Sequence, residues 1–222
     1  MPEPYIRPVD PSRDLDACLR IFLATIDKSV DFEPARTIGS YIWCRPYLSL
    51  ASNTSFVLDD GSDQAVGYII GVDSTAEFVK KWRDEYIPTV DPKVVPRREE
   101  RTHDPNEPGI LKYVKVAVYD PEGNLLHGSN PNLVGKYPAH FHIDLLPEYQ
   151  GKGFGSKLMT TFLGKIKDLG AGGVHLGMVA TNSDAKRFYE RHGFQAFDEV
   201  MDGGESGQRG REGDAVYLVK SV

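Results

Sequence analysis

The stretch that most constrains this chain is Leu145-Leu146-Pro147-Glu148-Tyr149-Gln150-Gly151-Lys152-Gly153-Phe154-Gly155-Ser156. An apolar segment, Ala139 to Leu146, reads as a strand and runs into three glycines placed at alternate positions, and an amphipathic run follows at once. Glycines let backbone N–H groups converge on an anion, and a helix N-terminus adds partial positive charge, so this turn is suited to cradling a pyrophosphate. Lys152 and Lys157 supply further charge. Spacing narrows the ligand. A P-loop places a lysine directly after its last glycine, where Ser156 follows Gly155 here, and a dinucleotide loop reads G-x-G-x-x-G where this one reads G-x-G-x-G.

The elements around the turn define an α/β chain with a mixed sheet. Downstream, Gly153 to Leu169 carries Phe154, Leu158, Phe162, Ile166 and Leu169 at helical spacing and ends at glycines 170, 172 and 173. Val174 to Val179 reads as a strand, Ser183 to His192 as a helix, Phe194 to Val200 as a strand, and Ala215 to Val219 as a last strand after a glycine-rich loop, 201 to 213. Upstream, Tyr5 to Val9 is a short strand with a proline suited to an edge. A helix follows with Leu15, Leu19, Phe22, Leu23 and Ile26 on one face, then a second helical stretch from Ile38 to Leu50. Phe56 to Leu58 and Ala65 to Val72 form a hairpin.

Residues 76 to 138 have another texture. They hold eight of the 15 prolines and, between Ala76 and Lys136, ten basic and ten acidic residues. Glu77 to Tyr86 reads as a helix with Phe78, Trp82 and Tyr86 on one face, Val90 to Pro108 as irregular chain, and Leu111 to Tyr119 fits strand or helix equally. The expectation is a long insertion before the strand that feeds the glycine turn, acting as a lid; Arg97-Arg98-Glu99-Glu100-Arg101 within it reads most simply as a solvated loop.

A chain of 222 residues can bury about 70% of its unfolded surface, enough for one domain spanning 1–222 without metals or disulfides. A net charge of −6 lacks the field of a general nucleic-acid binder. Cys18 and Cys44 show no metal-ligand spacing and read as buried thiols. Met1 to Tyr5 has neither a basic nor an apolar signal region, and the most apolar run, Ala65 to Val72, is too short to span a membrane. The expectation is a soluble cytoplasmic protein with no membrane or nucleic-acid partner.

Gln150, Gly153 and Gly155 match Q-x-x-G-x-G, and the next helix carries Asn182, Ala185, Tyr189, Gly193 and Phe194 in the pattern N-x-x-A-x-x-[FL]-Y-x-x-x-G-F. On these motifs the chain resembles the GNAT superfamily of acetyl-CoA-dependent N-acetyltransferases, tightly over residues 139 to 200. The run Tyr137 to Pro147 also resembles the acetyltransferase-like domain associated with O-GlcNAc hydrolases. The resemblance implies the GNAT-like acyl-CoA N-acyltransferase fold, a twisted mixed sheet flanked by helices. It implies acetyl transfer from acetyl-CoA, as co-substrate, to a small-molecule or peptide amine. Backbone groups of Ile143 to Leu145 would pair with the pantetheine arm, the turn of Gly151, Lys152, Gly153, Phe154, Gly155 and Ser156 would hold the pyrophosphate beside Gln150, Asn182 would bond the pantetheine side, and Tyr189 would protonate the leaving thiolate.

An attacking amine must lose a proton. The glutamates that the family often places early on the strand, or five residues before the Asn, are Ala139 and Gly177 here. His140, His142 and Asp144 alternate onto one strand face, with His175 on the next strand, and the base is assigned to His142 with Asp144. The same H-x-H-x-D run is a zinc motif elsewhere, but Leu145 stands where a further ligand normally follows, so no metal is expected. Without those glutamates, a non-catalytic acyl-CoA-binding module is the alternative. The C-terminal strands offer an edge through which a homodimer would form.

Overall fold

The computed structural model describes residues 3–97, 104, 106–128, 130–199 and 215–222. Its strands are β1 (Tyr5–Pro8), β2 (Phe56–Asp59), β3 (Ala65–Val72), β4 (Ala139–Leu145), β5 (Gly173–Val179), β6 (Gln195–Ala196) and β7 (Ala215–Ser221), hydrogen-bonded in the order β1-β2-β3-β4-β5-β7-β6. Every neighbouring pair is antiparallel except β4 and β5. Central β3 is buried along its whole length because both faces are covered, which is why it reads as a continuous apolar run.

The helices are α1 (Pro11–Thr25), α2 (Ala35–Trp43), α3 (Arg45–Leu50), α4 (Thr75–Lys81), α5 (Gly109–Ala117), α6 (Pro121–Leu125), α7 (Asn132–Lys136), α8 (Phe154–Asp168) and α9 (Ser183–Arg191). On one sheet face Leu158, Met159, Phe162 and Ile166 of α8 pack against Ile69, Phe141 and Val174. The opposite face is covered by α1 to α5. Asp10 caps α1 by accepting from Ser12 N–H, and Pro11 sits where its missing donor costs nothing. The buried stripe of α1 is centred on Cys18, Ile21 and Phe22, and the expected Leu23 is 41% exposed. The helix is turned this way because its buried Asp14 meets Arg7 of β1 at 2.6 and 2.8 Å, while Arg7 also reaches Asp59 of β2 at 2.8 Å. That clamp positions the C-terminal end of α1 over β4.

The structure refines three sequence readings. The helical stretch 38–50 is two helices, broken at Cys44 (φ −135°, ψ −63°) with Pro46 starting the second. Leu111 to Tyr119 is helical, as α5. The 76–138 segment is no peripheral flap in its described parts. Phe78, Trp82, Tyr86, Val90, Val95, Leu111, Val114, Ala117 and Val118 join the same core as Ile21 and Tyr47. The helix expected over 77–86 is α4 followed by a wider π turn, Trp82–Tyr86, which keeps its three aromatics inward. The charged run from Arg98 to Arg101, Val200 of the expected 194–200 strand and the 201–213 loop lie outside the described residues. Strand β7 is interior, between β5 and β6, which leaves the two-residue β6 at that edge. Cys18 and Cys44 are buried free thiols, and burial pushes the Cys18 thiol up to about 12. Among the described residues no helix is long and apolar enough to cross a membrane.

Candidate active site

The parallel pair at the sheet centre is short. β4 and β5 pair only through Ala139–Val174 and His140–His175. Beyond that point β4 follows β3 to Leu145 and β5 follows β7 to Val179, so the two strands diverge and leave a wedge between them. The glycine turn lies at the open end of β4. Gly151 (φ +68°) and Gly153 (φ +82°) adopt the left-handed conformation, and a Cβ at either would meet no atom within 4 Å, so glycine supplies backbone angle there and not space. The first bond of α8 is Lys157 N–H to the Gly153 carbonyl at 3.2 Å. Helix geometry gives the amides of Phe154, Gly155 and Ser156 no intrahelical acceptor, and the helix dipole makes their end positive. Lys152 and Lys157 stand at the rim over the rings of Tyr149 (6.0 Å) and Phe154 (5.5 Å). Gln150 reaches back to donate to the Leu145 carbonyl at 2.8 Å, tying the turn to the strand.

Across the wedge, Asn182 accepts from Ala185 N–H at 3.0 Å and so caps α9. This orients α9 and sets Tyr189 among Phe141, Phe188 and Phe194, at 6.1, 5.4 and 5.7 Å between ring centroids. Burial, then the negative charge of Asp144, hold the Tyr189 hydroxyl well above its ordinary range, so it stays protonated at neutral pH. Ile143 and Leu145 pack toward the α8 layer, on the strand face opposite Asp144.

On the other side the wedge opens into a cavity of about 500 Å³, roofed by α1, α2 and α5 and lined by His140, His142, Asp144 and His175. The alternation read from the sequence therefore holds: all three β4 side chains face one way. His142 and Asp144 do not bond each other. Asp144 accepts from Tyr68 Oη at 2.7 Å, and burial raises its pKa. His142 Nε2 lies 3.2 Å from Tyr47 Oη, and burial pushes its pKa down to about 4.

The hydrogen-bond polarity of this cluster is determined. Thr75 has one hydroxyl proton and gives it to the Pro138 carbonyl at 2.6 Å, so His140 Nδ1, 2.7 Å from Thr75 Oγ1, is the donor. His140 Nε2 then accepts from Tyr47 Oη at 2.8 Å, and His142 Nε2 must donate to that oxygen. The free lone pair of His142 is on Nδ1. His175 Nδ1 donates to the Tyr137 carbonyl at 2.6 Å, which leaves its lone pair on Nε2. Both His140 nitrogens are thus engaged, Nδ1 with Thr75 and Nε2 with Tyr47.

Tyr47, Tyr68 and Thr75 were not anticipated. Only the register that sets Tyr68 opposite Asp144, and the packing of α3 on β4, bring them in. Gly177 also acquires a reason, since a Cβ there would lie 3.3 Å from the Tyr217 ring, which occupies the space of the expected glutamate.

A splayed parallel pair in a mixed seven-stranded sheet, with a helix start of unbonded amides at the open end of β4, defines an acyl-CoA-type acetyltransferase fold. A family model described as "Acetyltransferase (GNAT) domain" matches residues 114–196. The crystal structure of a protein designated SsHAT is 33% identical over 99% of this chain and 98% of its own, with a TM-score of 0.77. An agmatine N-acetyltransferase (S171A mutant, apo form) shares 16% identity over 99% of this chain and 100% of its own, at a TM-score of 0.55. The protein yncA from Salmonella typhimurium, solved with its cofactor acetyl-CoA, shares 13% over 98% of this chain and 93% of its own, at a TM-score of 0.50. The chain belongs to the GNAT acetyltransferase family.

Proposed function

We propose that the protein moves an acetyl group from acetyl-CoA to an amine bound in the cavity. The observation that carries this reading is the wedge between β4 and β5, with the glycine turn at the open end of β4, Asp144 and the cavity on one face of the sheet and Tyr189 packed on the other. Backbone groups of Ile143 to Leu145, on the β4 edge that has left β5, would pair with the pantetheine arm, and the amides of Gly151 to Ser156 would take the pyrophosphate. Acetyl-CoA supplies an activated thioester. The amine nitrogen attacks its carbonyl, a C–N bond forms as the C–S bond breaks, and the proton leaving nitrogen goes to the cavity side. Asp144 suits that role better than His142, because burial raises its carboxyl pKa and makes it a stronger base, whereas burial lowers the His142 imidazole to about 4 and weakens it. His142 Nδ1 accepts a second N–H of the amine and orients it. Tyr189 returns a proton to the thiolate sulfur, so the products are amide and free coenzyme A.

Tyr189→Phe tests this. Coenzyme A release in the presence of a panel of amines should fall by about 100-fold or more, while calorimetry shows unchanged acetyl-CoA affinity. Acetyl-CoA binding with no coenzyme A release from either protein, across the whole panel, would favour a non-catalytic acyl-CoA module, the reading that the resemblance to the O-GlcNAc-hydrolase-associated domain supports.

A further inference from the structure

Carboxylates and imidazoles line the cavity, together with Asn124, His127 and Tyr217. The hydroxyl of Tyr47 is directed to His140, that of Tyr113 to Asn124 Oδ1 at 2.6 Å, and that of Ser29 to Asp27 Oδ1 at 2.6 Å. The lining includes the carboxylates of Asp144 and Asp27 and the rings of His142 and His175, whose lone pairs are on Nδ1 and Nε2. Asp27 is ionised in practice, because the Ser29 hydroxyl and amide hold its pKa below the ordinary carboxylate range. Helix α1 ends on the cavity, with Phe22, Thr25 and Ile26 in its wall and no basic residue in its last turn, so the negative end of its dipole is left uncompensated there. Trp43 and Tyr113 add stacked aromatic faces, 6.4 Å between centroids. No lysine or arginine is among the described residues that line it, and Lys28, beside Asp27 in the chain, lies outside the lining.

The two carboxylates are set apart by the chain itself. The Thr25 hydroxyl lies beside Asp144, and Asp27 follows two residues on, past the extended Ile26. Two residues span at most about 7 Å, so an acceptor held at both carboxylates needs only a short chain.

We infer that the acetyl acceptor is a short aliphatic diamine or polyamine, its reacting nitrogen at Asp144 and His142 and its second ammonium at Asp27 and the C-terminus of α1. A neutral tail would leave Asp27 and the helix end unanswered, and a carboxylate tail would be repelled by both. This rests on the transferase reading, and the two can fail separately.

The test compares putrescine, n-butylamine and γ-aminobutyrate as acceptors, reading coenzyme A release. Putrescine should exceed n-butylamine in kcat/KM by about fivefold, with γ-aminobutyrate the poorest. Asp27→Asn should collapse the putrescine-to-butylamine ratio toward one, as should high salt. A ratio near one in the unmodified protein, a ratio that survives Asp27→Asn, or a preference for γ-aminobutyrate overturns the inference. If acetyl-CoA binds but no amine is acetylated, the transferase reading falls and calorimetry decides the rest. Putrescine binding more tightly than n-butylamine then upholds the cation site, and equal or absent binding of both overturns it.

Discussion

Asp144 shows how one residue carries opposing demands. Its carboxyl is harder to ionise in the folded chain than in the unfolded one, chiefly because it is buried. The sign follows: the protonated group favours folding at low pH, that contribution is lost as pH rises through the raised pKa, and at neutral pH the ionised group weighs against the fold. Asp144→Asn keeps an acceptor for Tyr68 and removes the charge. Its Tm at pH 7 should rise by about 2–4 °C, the shift that about 1 kcal/mol makes in a chain of this size, while coenzyme A release collapses. A lowered Tm, or full activity, would refute this assignment. The face shared by His140, His142 and Asp144 was legible from period-2 alternation. Their partners were not, because Tyr47 lies 95 residues before His142 and Tyr68 lies 76 before Asp144, and no local pattern joins them.

The turn into α8 is where element-scale reasoning is most direct. A left-handed residue with open space beside it responds to backbone cost alone, so Gly153→Ala should lose about 1–2 kcal/mol in denaturant unfolding and should also weaken acetyl-CoA binding in calorimetry as the first-turn amides move. Gly155→Ala is the contrast. Its Cβ would meet the Phe188 ring at 3.4 Å with ordinary backbone angles, so it should cost less stability than Gly153→Ala. Helix α8 and its glycine turn were legible because their signals are contiguous. The break at Cys44 and the helical state of 109–117 were less so, because apolar residues crowd both segments and only packing of α5 against α2 selects the buried face.

At the scale of the molecule, the described parts of the 75–118 segment complete the core that roofs the cavity. Trp82 is fully buried and donates to the Val118 carbonyl at 3.1 Å. Trp82→Ala should therefore cost about 3–5 kcal/mol of global stability in denaturant unfolding, where a surface lid would cost almost nothing. The buried imidazoles set an acid limit for the whole fold. His142 and His175 are held near 4, and His140 is also held well below its ordinary value of 6.5. Between pH 6.5 and 4 the unfolded chain binds more protons at these three imidazoles, so stability present above 6.5 is lost as pH falls through that window, against the opposite trend of the single Asp144. Tm should drop steadily from pH 7 to 4.5, and a flat profile would show that these rings are not buried neutral.

The sequence by itself determined what depends on near neighbours. It specified the strand, glycine turn and helix, the caps, the alternating β4 face and the tyrosine seven residues after the asparagine, because backbone angle and side-chain period are local properties. Tertiary structure decided how far β4 stays beside β5, which hydroxyls answer the buried histidines, and that α1, α2 and α5 close a cavity lined by carboxylates and imidazoles. Those outcomes depend on residues distant in the chain competing for the same buried space and the same few protons.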